Sequence, residues 1–167
     1  MKADRDSVIA IGEALIDRLG PPGGDPSFDL PVIDCFGGAP ANVACALGRL
    51  GVNVSFIGSL GKDAFGEKFK QLLIKRGINT AGLQHDSLRP TRVVLVRRDS
   101  CGERFFEGFE GDKGLGFADQ AILLEQVIKD FPLVKEKAKW LVLGTIPLAS
   151  EISSNAFLWC MENALNA

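Results

Sequence analysis

Gly37-Gly38-Ala39-Pro40-Ala41-Asn42-Val43-Ala44 joins an apolar, strand-like run to a stretch with helical spacing, and its chemistry decides how the chain folds. Two adjacent glycines remove two Cβ atoms, so the backbone can take conformations that other residues avoid and can come close to a bound oxygen. Pro40 suits the first position of a helix, where its missing N–H is no loss. Ala41, Ala44, Cys45 and Gly48 are small enough to let that helix lie tightly on a neighbouring layer. Asn42 is the polar side chain of the motif. Near a helix start, its amide offers both a donor and an acceptor to the hollow that the glycines line. Ligand hydroxyls suit such a lining, but the same strand, turn and Ala-rich helix also serve ordinary α/β packing.

Working outward from the motif, Val8 to Leu15 (VIAIGEAL) reads as a buried strand of a parallel sheet that stops at Ile16-Asp17-Arg18. Asp17 is thereby expected at the carboxyl end of that strand, the side on which open α/β sheets bind ligands. A turn or capping role leading into the Gly20-Pro21-Pro22-Gly23-Gly24 loop is the alternative. Phe28 to Phe36 (FDLPVIDCF) reads as an edge or half-exposed strand, because Pro31 cannot donate to a central ladder.

After the motif, the spacing predicts a helix over Pro40 to Leu50, with Val43, Leu47 and Leu50 as its apolar stripe and Gly51 at its C-terminus. A buried strand over Val52 to Leu60 and a helix over Ala64 to Arg76 follow. The second helix carries Phe65, Phe69, Leu72 and Leu73 on a core face and is capped by Gly61-Lys62-Asp63. His85 falls in a connection and is expected to be a solvated loop residue. Thr91 to Phe109 changes character to an antiparallel hairpin that turns at Asp99-Ser100-Cys101-Gly102. With the Phe28 to Phe36 strand it would make a small sheet, a lid able to close over a ligand, or it would extend the main sheet. Helical segments are expected from Ala118 to Lys129, around Leu133 to Lys137, and from Glu151 to Leu165. Lys139 to Gly144 reads as a short buried strand that ends at Thr145.

Composition limits the function classes. At 167 residues and 46% hydrophobic, the chain can bury the core of one domain. A net charge of −2 with interspersed signs offers no face for nucleic acid and no membrane anchor, which favours a small-molecule ligand. Cys35, Cys45, Cys101 and Cys160 form no C-x-x-C pair and His85 is the single histidine, so no metal site is expected and the thiols read as reduced. A cytoplasmic location is expected, or an organelle if a transit peptide precedes this sequence. Gly114-Leu115-Gly116 does not extend to the G-x-G-x-x-G of a dinucleotide site, and no P-loop motif occurs.

Several motifs in order resemble the N-terminal half of the pfkB, or ribokinase-like, carbohydrate kinases, the fructokinases in particular. They are Gly12-Glu13-Ala14-Leu15-Ile16-Asp17, the double-glycine motif, Phe56-Ile57-Gly58 and Gly61-Lys62-Asp63-Ala64-Phe65-Gly66. Pro90-Thr91-Arg92 is similar to the opening of the family's lid, and Leu143-Gly144-Thr145 to a strand end that faces the sugar. The resemblance spans nearly the whole chain. It implies a partial three-layer α/β fold of ribokinase type over residues 1–167, with a mainly parallel central sheet and a β lid from strands about 28–36 and 91–109. It also implies ATP-dependent phosphorylation of a sugar hydroxyl, with ATP and magnesium used by the complete family member. Asp17, Gly37, Gly38, Asn42 and Thr145 would contact the sugar, and Thr91 and Arg92 would belong to the lid.

The family's catalytic Asp lies in a Gly-Ala-Gly-Asp-type motif at a helix N-terminus, which this sequence lacks; the nearest string is Glu110-Gly111-Asp112-Lys113. The expectation is therefore a sugar-binding half, a fragment or truncated gene product that transfers no phosphate alone. Many fructokinases carry an arginine just after the second lid strand, where Phe109-Glu110-Gly111 stand here, so selectivity for fructose is not implied. The alternative is a non-catalytic sugar-binding or dimerising module, a homodimer joined through exposed lid strands.

Overall fold

The computed structural model describes residues 7–134 and 138–164. Its centre is a parallel sheet of four strands in the order β5-β4-β1-β8. These are β1 (Ser7–Ile11), β4 (Asn53–Gly61), β5 (Leu83–Asp86) and β8 (Ala138–Leu143). Alternation along a strand sends successive side chains to opposite faces. Val8 and Ala10 of β1, with Val54 and Phe56 of β4, meet α1 (Ala39–Arg49) and α2 (Ala64–Lys75) on one face. Ile9 and Ile11 of β1, with Ile57 of β4, meet α3 (Leu124–Val134) and α4 (Glu151–Ala164) on the other. Strands apolar at every position are what a sheet covered on both faces demands, and the result is a three-layer α/β arrangement.

A second sheet runs in the order β3-β2-β6-β7, formed by β2 (Leu15–Pro22), β3 (Ile33–Gly37), β6 (Val93–Arg98) and β7 (Arg104–Glu110). The first helix buries Pro40, Ala41 and Ala44, while Val43 and Leu50 are exposed. Ala41 and Ala44 lie on the sheet and Leu47 of the expected stripe packs against the same core, whereas Val43 and Leu50 point away from it. Asp63 caps α2, accepting from Gly66 N at 2.8 Å with one oxygen and from Thr91 N at 2.7 Å with the other.

Several elements differ from the expectations. The opening strand is two strands, broken at Gly12-Glu13-Ala14, where Gly12 has φ 153°. Asp17 is therefore an internal residue of β2 in the second sheet, not a residue at the carboxyl end of β1. The expected Gly20-Pro21-Pro22 loop is the end of β2, and β3 begins only at Ile33. Residues before β3 form a turn in which Asp25 and Asp29 accept nearby backbone N–H groups. His85 lies in β5, half-buried, with its pKa lowered chiefly by burial and then by the Lys70 charge.

The helix expected from Ala118 is a short 3-10 turn over Ala118–Gln120, and α3 starts at Leu124. Residues 135–137 and Leu165 of the expected helices lie outside the described residues. β8 is an edge strand with Lys139, Trp140 and Leu143 exposed, since β1 is its one neighbour in the sheet order. Among the described residues no helix is long and apolar enough to cross a membrane.

Phe69 of α2 is 1% exposed and meets the Phe36 ring of β3 edge-on at 5.0 Å, which ties the helix layer to the second sheet. Phe69→Ala is expected to lower unfolding stability by about 3–5 kcal/mol in a urea titration; a loss below about 1 kcal/mol contradicts this packing.

Candidate functional site

The two sheets meet where β1 crosses into β2 and where β3 turns into α1, and the seam is lined mostly by backbone. β3 pairs antiparallel with β2, setting Leu15 opposite Gly37 and Asp17 opposite Cys35. A Cβ on Gly37 would run into the Asp17 carboxylate and stand 2.8 Å from Leu15 Cδ1, so Gly37 is required for the carboxylate to lie there. Gly38 has φ 98°, a left-handed conformation that favours glycine, and a Cβ there would strike the Glu13 carbonyl. The chain then enters α1, whose amides start with Asn42 N donating to Gly38 O at 2.9 Å. Asn42 is exposed on the first turn.

Gly144 ends β8 and hydrogen-bonds through its N–H to Ile11 O at 2.8 Å, which brings Thr145 to the same end of the sheet. Thr145 is exposed at the start of a 3-10 turn over Ile146–Ala149. Asp17 thus lies against Gly37, with Gly38 and Asn42 following in the chain, while Thr145 follows Gly144 at the end of the central sheet. Burial raises the Asp17 pKa, and the Arg104 charge at the start of β7 pulls it back. A half-buried carboxylate of this kind is a strong acceptor for hydroxyl donors.

Thr91 and Arg92 occupy a different place, the buried entry to β6. Gly61 N donates to Thr91 Oγ1 at 3.0 Å. Arg92 is 5% exposed and makes a two-pronged pair with Asp119, Nε to Oδ2 at 2.7 Å and Nη2 to Oδ1 at 2.8 Å. Its guanidinium sits over the adjacent Phe109 and Phe117 rings, 4.8 and 4.4 Å from their centroids. Ser153 of α4 donates to the Asp119 carbonyl at 2.9 Å. The pair thus fastens the root of the second sheet to the helix layer and does not line the seam. Breaking a buried pair of this kind exposes the partner to a full desolvation penalty.

Sequence reasoning did not single out Glu13 or Arg104. Glu13 is 2% exposed beneath Gly38, where apolar neighbours on both sides in sequence could have marked it as a buried charge. Arg104 lies 87 positions from Asp17 in the chain, and the shared sheet brings its charge within electrostatic reach of that carboxylate. Asp112 of the Glu110-Gly111-Asp112-Lys113 string accepts from Gly114 N and Gly116 N and serves as a turn residue.

The pfkB family carbohydrate kinase domain matches residues 5–151. The chain is 34% identical to the probable fructokinase-5 of Arabidopsis thaliana over 166 residues, 99% of this chain and 49% of that protein. Its fold matches the fructokinase with bound ATP from Xylella fastidiosa with a TM-score of 0.81 at 29% identity, covering 98% of this chain and 49% of that one. It also matches the Vibrio cholerae fructokinase in a form with bound fructose, ADP and calcium, with a TM-score of 0.68 at 26% identity over 94% of this chain and 46% of that one. The chain spans about half the length of the curated relatives it matches.

Replacing Arg104 with Ala is expected to raise the Asp17 pKa further, read from the carboxyl carbon shift in a pH titration. An unchanged titration would place the Arg104 charge outside the reach of Asp17.

Proposed function

The chain belongs to the pfkB family of carbohydrate kinases, and from that premise we propose that these residues are the sugar-binding half of an ATP-dependent, fructokinase-like sugar kinase. The observation that carries the reading is the placement of the Asp17 carboxylate against Gly37, with the exposed Asn42 amide one helical turn along. An ionised carboxylate accepts from a sugar hydroxyl, Asn42 both donates and accepts, and the Gly37-Gly38 backbone approaches the ring without side chains in the way. The Thr145 hydroxyl would complete the floor. Thr91 and Arg92 act as the root of a β lid formed by the second sheet, not as sugar ligands.

Holding a hydroxyl at fixed orientation is a large part of what phosphoryl transfer requires. The sequence has no Gly-Ala-Gly-Asp-type motif, the segment that carries the catalytic Asp in the family. ATP and magnesium belong in this reading to the complete family member, and this chain alone is expected to turn over no ATP. Calorimetric titration with fructose should show binding by the wild-type chain and a loss of about tenfold to a hundredfold in Asp17→Ala, the cost of one charged hydrogen bond. Equal affinities would remove Asp17 from the site. A coupled assay showing sugar-dependent ATP consumption would overturn the sugar-half reading.

A second reading, a sugar-binding module that dimerises through its lid, is favoured by the exposed aromatic residues of that sheet. Phe105, Phe106 and Phe109 are 48, 65 and 48% exposed, and Ile33 on the opposite edge strand is 49% exposed. Such strands present unpaired backbone to a partner. Sedimentation at micromolar concentration should then give a dimer that Phe106→Asp converts to monomer; a wild-type monomer contradicts it.

A further inference from the structure

Among the described residues two carboxylates are almost fully buried. Asp119 is neutralised by Arg92, whereas Glu13 Oε2 has no hydrogen-bond partner among the described residues. Glu13 sits in the crossover between β1 and β2, and three glycines pack around it. A Cβ on Gly38 would strike its carbonyl. One on Gly144 would strike Oε2 and stand 2.9 Å from Pro40 Cγ. One on Gly12 would stand 3.0 Å from Gly144 Cα. The backbone N–H groups of Ala39 and Ile146 face the Glu13 carboxylate.

Glu13 thereby lies between the first turn of α1 and the turn that follows β8. Amides at helix starts favour a negative group, yet burial outweighs them and, with the Asp119 charge, raises the Glu13 pKa. A costly buried carboxylate at a junction of two loops is difficult to account for as packing alone, since an apolar residue would fill the space without it.

We infer that Glu13 is a positioning residue for the proposed sugar site, acting through the Ala39 and Ile146 amides to hold the Gly37-Gly38 turn against Gly144-Thr145. The ligand in this inference rests on the sugar-site reading; the geometry does not.

The test is amide hydrogen exchange on the full 167-residue chain, combined with fructose titration, for wild type, Glu13→Ala and Glu13→Gln. Glu13→Ala is expected to speed exchange at Ala39 and Ile146 and to weaken fructose binding, each by about tenfold, with amides of β4 unchanged. Glu13→Gln keeps an acceptor oxygen and should restore both to within about threefold of wild type. The inference is overturned if Glu13→Ala leaves the two amides protected, if it deprotects them with fructose binding intact, or if Glu13→Gln falls as far as Ala. Should Glu13→Ala not fold, Glu13→Asp decides, since the shorter side chain withdraws from both amides: faster exchange there supports the inference and wild-type protection defeats it. A wild-type chain that binds no fructose defeats the sugar-site reading, while the exchange rates still decide whether Glu13 holds the two turns.

Discussion

Crowding at one junction governs this structure. The end of β1, the start of α1 and the end of β8 approach so closely that no Cβ fits at Gly12, Gly38 or Gly144. Because that approach is possible, α1 can lay Ala41 and Ala44 directly on the sheet, and the Glu13 carboxylate is enclosed against Gly144. The same approach brings the Gly37-Gly38 main chain beside the Asp17 carboxylate at the seam between the sheets, a surface that under the proposed reading would recognise hydroxyl groups by position.

The second sheet is held to this junction by electrostatics as much as by apolar contact. Arg92, paired with Asp119 and flanked by Phe109 and Phe117, anchors the entry to β6, and Asp63 and Thr91 tie the same entry to α2. Pairing then carries the order outward: β6 sets β2, β2 sets β3, and that register delivers Asp17 beside Gly37. The Asp17 carboxylate is thus placed from a strand of the second sheet, while the glycine it lies against leads into a core helix, so that movement of that sheet relative to the core would alter the relation directly.

Long, strongly patterned elements were legible from the residues. The runs around Phe56 and Phe69 and the hairpin turning at Asp99 to Gly102 stand as strand, helix and hairpin, because their periodicity and turn chemistry act locally. Local signals could not show that VIAIGEALID divides between two sheets. Gly12-Glu13-Ala14 interrupts no apolar pattern, and the break comes from the close contact with Pro40 and Gly144, distant in sequence. The same reason hid the influence of the Arg104 charge on Asp17 and the burial of Glu13. β5 escaped notice because a four-residue edge strand carries too little alternation to read. The double glycine was the clearest site signal, and its sequence neighbours supplied Asn42; the conformation that makes it useful, the positive φ at Gly38, is a product of packing.

The central claim is that the seam at Asp17, Gly37, Gly38 and Asn42 receives a sugar. The most direct measurement is a backbone amide shift map of the chain on addition of fructose. The account requires the largest changes to cluster at Gly37 to Asn42 and around Asp17, with those at Thr145 next. Changes confined to the cavity of about 450 Å³ beside Gln84 and Leu123 at the β5 edge, or none at saturating sugar, would contradict it.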